Sequence, residues 1–323
     1  MRSFFSRLLA SVAVLAAVLV LNFFLFRIMP GDPVSSIIDP RFSPEAKQEL
    51  AAQWGLDRPL SEQFVRYVKQ MLTFRFGLST STGRPVWDEL RTRVPNTAAL
   101  LFPALLLSAA LGTFLGVAAA QKRGGALERL VLWSGALSFS FPSFFVQLLF
   151  LLCFAFLWPI FPLSGSISIP PPTEPLAAAL DYLHHLALPL LSLVLMSFGG
   201  WALTIRNLMV KALGEEHVLM ARARGLSPRR VVWNHAFRSV LPPVLTLFLM
   251  SLPGVVSGAV ITETVFSLHG AGRFLLESVT AHDYPAAGAA FFLLALLTVS
   301  CNLLADVFCA AADPRIRREG ARE

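Results

Sequence analysis

The chain has 323 residues, 55% of them hydrophobic and only 15% charged, with a formal net charge of +7 and a mean hydropathy of +0.64. Soluble domains carry about 25% charged residues, so this composition excludes an ordinary cytosolic enzyme, a disordered tail and a disulfide-stapled secreted module. It is the composition of a polytopic membrane protein.

Six stretches are free of Asp, Glu, Lys and Arg: 8–26, 94–121, 130–173, 182–205, 239–262 and 284–305. At 1.5 Å rise per residue, about 20 apolar residues cross a hydrocarbon core about 30 Å thick, and every stretch is long enough. A bilayer leaves only helices or closed barrels as spanning elements. Strict period-2 alternation is absent, so the expectation is an all-α membrane protein. Its six transmembrane helices are predicted at about 8–28, 96–120, 130–157, 183–206, 239–262 and 285–309.

The first span follows Arg2 and Arg7 like a signal peptide. Its apolar stretch is longer than an h-region, however, and Arg27-Ile28-Met29-Pro30 is a poor cleavage site, so it is read as uncleaved. A short external helical layer follows. Ser43-Pro44-Glu45 opens a helix that stops near Gly55, Ser61-Glu62 opens another toward Gly77, and Pro85 to Arg93 forms a third. In the 130–173 stretch, Trp158-Pro159, Pro162, Ser164-Gly165-Ser166 and Pro170-Pro171-Pro172 break the second half, which leaves one span. His184 and His185 open the fourth span. Adjacent positions do not converge on one ligand from a helix, so the pair reads as interfacial and not as a metal site. The fifth span holds Pro242, Pro243, Pro253, Gly254 and Gly258. Irregular backbone at membrane depth is tolerated where it lines a polar cavity or packs in protein, so Pro242, Pro253, Gly254 and Gly258 are candidate pathway-lining residues, with a kinked packing helix as the alternative. The domain reading is 1–95 for the first span and external segment, 96–312 for a five-helix core with a cytoplasmic loop at 207–238, and 313–323 for a cytoplasmic tail.

Arginine and lysine set the orientation. With both termini inside, the inner segments hold sixteen: Arg2, Arg7, Lys122, Arg123, Arg129, Arg206, Lys211, Arg222, Arg224, Arg229, Arg230, Arg238, Arg315, Arg317, Arg318 and Arg322. The outer segment 158–181 has none and 263–283 only Arg273, which is the positive-inside bias. The nine basic residues of 30–93 are nearly balanced by eight acids, and loops that long translocate regardless of charge. The positive charge therefore points to the bilayer and not to nucleic acid. Cys153, Cys301 and Cys309 lie in or beside spans as small packing residues.

Catalytic signatures are missing. None of the four lysines follows a glycine, so there is no Walker A loop, and neither H-E-x-x-H nor G-x-S-x-G occurs. Asp306 is the only carboxylate within the predicted spans, which argues weakly against ion-coupled transport and leaves an ion-coupled secondary transporter as the less favoured alternative. The 206–238 connection is more informative. Val218 to Arg224 suits a short helix, Gly225 a left-handed stop, and Ser227-Pro228 the next start. Ala221, Ala223 and Gly225 beside Arg222 and Arg224 read as a docking surface, the alternative being a basic surface held by anionic lipid.

Ala221-Arg222-Ala223-Arg224-Gly225-Leu226-Ser227, followed by Asn234-His235-Ala236-Phe237-Arg238-Ser239, resembles the cytoplasmic loop of permease subunits of dipeptide, oligopeptide and nickel ABC importers. Met29-Pro30-Gly31-Asp32-Pro33, Gly55 to Leu60, Thr82 to Val86, Glu263 to Ser267, Gly270 to Arg273, Asp283-Tyr284-Pro285 and Asp313 to Arg317 extend the likeness through the chain in the family's order. The resemblance implies a bacterial inner-membrane peptide importer subunit, with nickel or metal-chelate import by the same architecture as the alternative. It implies a second, similar permease, two ABC ATPase subunits, an external substrate-binding protein, and no cofactor in this chain, ATP and magnesium being held by the ATPases. Ala221, Arg222, Ala223, Arg224 and Gly225 would then form the coupling helix. Leu219 stands where the broader signature has Glu, and His269 where a proline usually precedes Gly270.

Overall fold

The computed structural model describes residues 2–28 and 59–312, with side chains described except at 2–4, 26–28, 139, 253–259 and 309–312. The expected helix from Ser43 to Gly55, and the Met29 to Pro33 and Asp313 to Arg317 stretches, lie outside the described residues. Among those residues the chain is helical, with one isolated antiparallel bridge, Leu78 to Pro85. The helices are α1 (Arg2–Ile28), α2 (Leu60–Leu72), α3 (Val86–Gln121), α4 (Ala126–Ser140), α5 (Ser143–Leu151, prolonged by a π-helical turn Leu152–Leu157), α6 (Pro175–Ala212), α7 (Glu216–Ala223), α8 (Pro228–Arg230), α9 (Phe237–Val265), α10 (Ala271–Thr280) and α11 (Tyr284–Ala312). Among the described residues, five helices are long and apolar enough to span a membrane, six if the bent α4–α5 pair is one span.

Three boundaries differ from expectation. The predicted helix at Pro85 to Arg93 is not separate; it is the first part of α3, which continues through Pro95 and Pro103. Helix α6 starts at Pro175, about two turns before the expected opening at 183. The single span expected at 130–157 is broken by a 104° bend between α4 and α5. Pro142 explains the break: a proline disfavours α-geometry in the residue before it, and Phe141 is extended at φ −112°, ψ 138°.

Two compact units emerge: Met1–Thr97 with His269–Ser300, and Ala98–Leu268 with Cys301–Glu323. Residues 269–300 thus group with the N-terminal segment. In the first unit, Met71, Phe76, Val86 and Leu90 are buried with Ala271, Phe274, Ala286, Ala289, Ala290 and Phe292, so the alanine-rich start of α11 allows close approach. Asn22 of α1 donates to the Gly288 carbonyl at 3.0 Å. Asp283 caps α11, accepting from the Ala286 N–H at 3.1 Å. Its other oxygen accepts from Ser79 Oγ at 2.5 Å, Ser81 Oγ at 2.7 Å and the Ser81 N–H at 3.2 Å. Burial pushes this carboxyl up, but the hydrogen bonds outweigh it and hold it below the ordinary aspartate value. Arg93 lies 4.5 Å above the Phe274 ring and pairs with Glu89 at 3.1 Å. Partial burial, with Arg93 and Arg273 nearby, holds the His269 imidazole below its usual value.

In the second unit, small residues set the helix crossings. A Cβ on Gly116 of α3 would stand 2.6 Å from the Ala202 carbonyl oxygen of α6, and Gly199 of α6 has no room for one against Ser134 of α4. The segment 158–174 between α5 and α6 is pinned by Asp181, which accepts from the Ser168 N–H and Oγ at 2.7 and 2.6 Å. His184 Nε2 lies 2.9 Å from the Ile160 carbonyl, and His185 is buried with Nδ1 2.9 Å from the Asp181 carbonyl.

Candidate docking and pathway site

Helix α7 is short, yet it is firmly set. Val218 and Ala221, three residues apart, share one stripe and are buried in a cluster with Val117, Ile205, Met209, Ala212, Val231 and Ala236. The helix ends in a Schellman arrangement. The Leu226 N–H donates to the Ala221 carbonyl at 3.4 Å and the Gly225 N–H to the Arg222 carbonyl at 2.9 Å. Gly225 has φ +77°, in the left-handed region that favours glycine, and Leu226 packs against the buried cluster. Ser227 and Pro228 then open α8, as the sequence predicts. A π-helical turn, Val231–Ala236, leads directly into α9.

This anchoring decides which residues face outward. Arg222, Ala223, Arg224 and Gly225 are exposed. Ala221 is a correction: helical periodicity places it beside Val218, facing the chain's own core, and it has no outward surface to offer. Leu219 and Met220 face outward instead, 49% and 58% exposed. The sequence reading noted Leu219 only as a departure and missed Met220. The signal was available, because once 218 and 221 are buried, 219, 220 and 223 must point away. The outward face is thus two apolar side chains beside an approachable alanine, edged by two arginines.

Expectation and structure also part over the fifth span. Its irregular backbone does not materialise, since α9 runs unbroken through Pro242, Pro243, Pro253, Gly254 and Gly258. Pro242 is half-buried. Pro253, Gly254 and Gly258 lie among residues whose side-chain surroundings are outside the description. The departures from α-geometry occur elsewhere, at the α4–α5 break and in the two π-helical turns. What the structure does assemble is a polar contact absent from the expectation. Gln147 of α5, fully buried, donates to Thr262 Oγ1 of α9 at 2.8 Å, next to Glu263, itself 1% exposed. Gln147 Oε1 has no hydrogen-bond partner among the described residues. In the sequence Gln147 is a lone amide in an apolar run; the bend at Pro142 is what turns α5 to meet α9.

Comparison with known proteins agrees with this architecture. Residues 112–318 match the family described as "Binding-protein-dependent transport system inner membrane component", and residues 1–101 match the N-terminal model of such membrane components. The chain is 34% identical to a di/tripeptide transport system permease protein of Pseudomonas aeruginosa, over 94% of each chain. It is 35% identical to a probable D,D-dipeptide transport system permease protein of Escherichia coli, over 96% of this chain and 95% of the relative. It is 29% identical to an oligopeptide transport system permease protein of Bacillus subtilis, over 96% and 97%. This multi-pass membrane protein belongs to the family of inner-membrane components of binding-protein-dependent transport systems.

Proposed function

We propose that the chain is the permease subunit of a bacterial ATP-driven peptide importer, with both termini on the cytoplasmic side. The peptide assignment is supported by the relatives, which are named for dipeptide, di/tripeptide and oligopeptide transport. The reading as a partner-driven gate is carried by one observation: α7 is locked by Val218 and Ala221 to the helices leading into the membrane while Leu219, Met220 and Ala223 face out. A helix held this way acts as a rigid lever. Two cytoplasmic ATPases, which hold ATP and magnesium, close on nucleotide binding and push α7. The motion passes through the buried cluster to α6 and α9, and the spans reorient around a pathway completed by a second, similar permease. An external binding protein delivers the cargo. The sequence carries no Walker A loop, which supports the reading in which hydrolysis belongs to the partners.

Cysteine crosslinking tests the docking. Ala223→Cys is expected to crosslink to an ATPase subunit in assembled membranes and Ala221→Cys, facing inward, is not. Normal transport with no crosslink from position 223 would overturn the assignment.

A further inference from the structure

Beside α7 lies a second feature that docking does not use. Arg229, Arg230, Trp233 and Asn234 line a cleft of about 350 Å³. The spacing is the reason they converge: positions four apart share a helix face, so 229 and 230 come to stand over 233 and 234. Both arginines are exposed, and neither makes a hydrogen bond or ion pair among the described residues. Trp233 is half-buried against Phe237, with ring centroids 5.2 Å apart. The cleft sits at the opening of a segment apolar enough to span the membrane, Pro228–Leu252. From it the i, i+4 ridge Phe237, Leu241, Leu245 leads along α9, with Leu241 and Leu245 exposed.

We propose that this cleft binds the phosphate headgroup of an anionic phospholipid of the cytoplasmic leaflet, with an acyl chain lying along the Phe237–Leu241–Leu245 ridge. The two guanidinium groups supply paired donors to phosphate oxygens, Trp233 sits at the depth where its amphipathic ring is stable, and Asn234 adds a neutral hydrogen-bonding group. An acidic protein surface or a free phosphate would satisfy the arginines but leave the apolar ridge without a role, and a phospholipid uses both. The inference rests on the orientation given by the positive-inside bias and on this cleft, independently of the cargo.

The test is lipid retention by the full-length chain with whatever subunits co-purify. The complex is equilibrated in detergent with equal amounts of phosphatidylglycerol and phosphatidylcholine of identical acyl chains, and the retained lipids are read by intact-mass spectrometry. The wild type is expected to retain phosphatidylglycerol preferentially. With about 1 kcal/mol of attraction per basic residue near an anionic surface, each arginine removed lowers the preference about fivefold, so Arg229→Gln with Arg230→Gln abolishes it. Arg229→Lys with Arg230→Lys keeps the charge and retains the preference, which shows that the fold survives substitution here. Lys122→Gln with Arg123→Gln removes the same charge from another exposed inner loop and leaves the preference intact. Excess inorganic phosphate, which has no acyl chain, does not displace the lipid. Equal retention of the two lipids, a preference that survives the Arg→Gln pair, an equal loss in the Lys122/Arg123 variant, or displacement by inorganic phosphate would each overturn the proposal.

Discussion

Around Asp283 a buried carboxylate accepts four hydrogen bonds from its own chain, whereas along α7 and α8 Arg222, Arg224, Arg229 and Arg230 stand exposed with no carboxylate opposite them among the described residues. The first region spends its polar groups internally and is finished as folded. In the second, the buried stripe of Val218 and Ala221 does the holding, and the polar groups are left for something else. The difference separates a structural joint from a contact surface by where the donors and acceptors go, without reference to sequence likeness.

Substitutions can break this contrast. The largest effect is expected from Asp283→Ala, which strands the donors of Ser79 and Ser81 and uncaps α11; the loss is about 2–4 kcal/mol, read as lower membrane accumulation and an earlier thermal transition in detergent. Titration carries the same information. Because the folded Asp283 carboxyl is held below its ordinary value, its contribution is fully present above the unfolded-state value of about 4 and is lost as pH falls through the folded value. The acid limb of the stability profile should flatten in Asp283→Asn. Met220→Ala, in contrast, should leave thermal stability unchanged and weaken ATPase association about tenfold, in the range usual for truncating an exposed apolar anchor. An equal fall in stability would make α7 a structural joint after all. Gly225→Ala forces an L-residue to φ +77°, about 1–2 kcal/mol of local strain, seen as faster hydrogen exchange confined to α7 and α8. The smallest effect belongs to Asp88→Asn. Its pair with Arg91 at 3.3 Å is exposed on both sides, so thermal stability should move by less than about 0.5 kcal/mol.

Much of the scaffold was legible because charge is scarce. Five of the six charge-free stretches lie in a long helix and the sixth, 130–173, holds the bent α4–α5 pair, and the stop at Gly225 with the restart at Pro228 was readable from turn chemistry alone. The misplaced helix ends share one cause: a charge marks where hydrocarbon ends, and a helix can run on past it. Arg93 looked like the terminus of a short helix, but it lies on the flank of α3, covered by Phe274 and paired with Glu89. Asp181 likewise is inside α6 because Ser168 satisfies it. The break at Pro142 was visible as a residue but was not read as a boundary, the neighbouring prolines from 159 onward being more conspicuous. The contact between Gln147 and Thr262 was beyond reach of the sequence, since it depends on the direction α5 takes after that break. Ala221 shows the limit of composition: small residues permit close approach, but only the stripe they share with neighbours says from which side.

Gly225 has one consequence of a different kind. No other atom lies within 4 Å of where a Cβ would stand on it, so within the chain itself what position 225 discriminates is handedness and not bulk. A D-amino acid introduced there by semisynthesis adopts a positive φ without the cost an L-residue meets, so it would keep the turn between α7 and α8 intact.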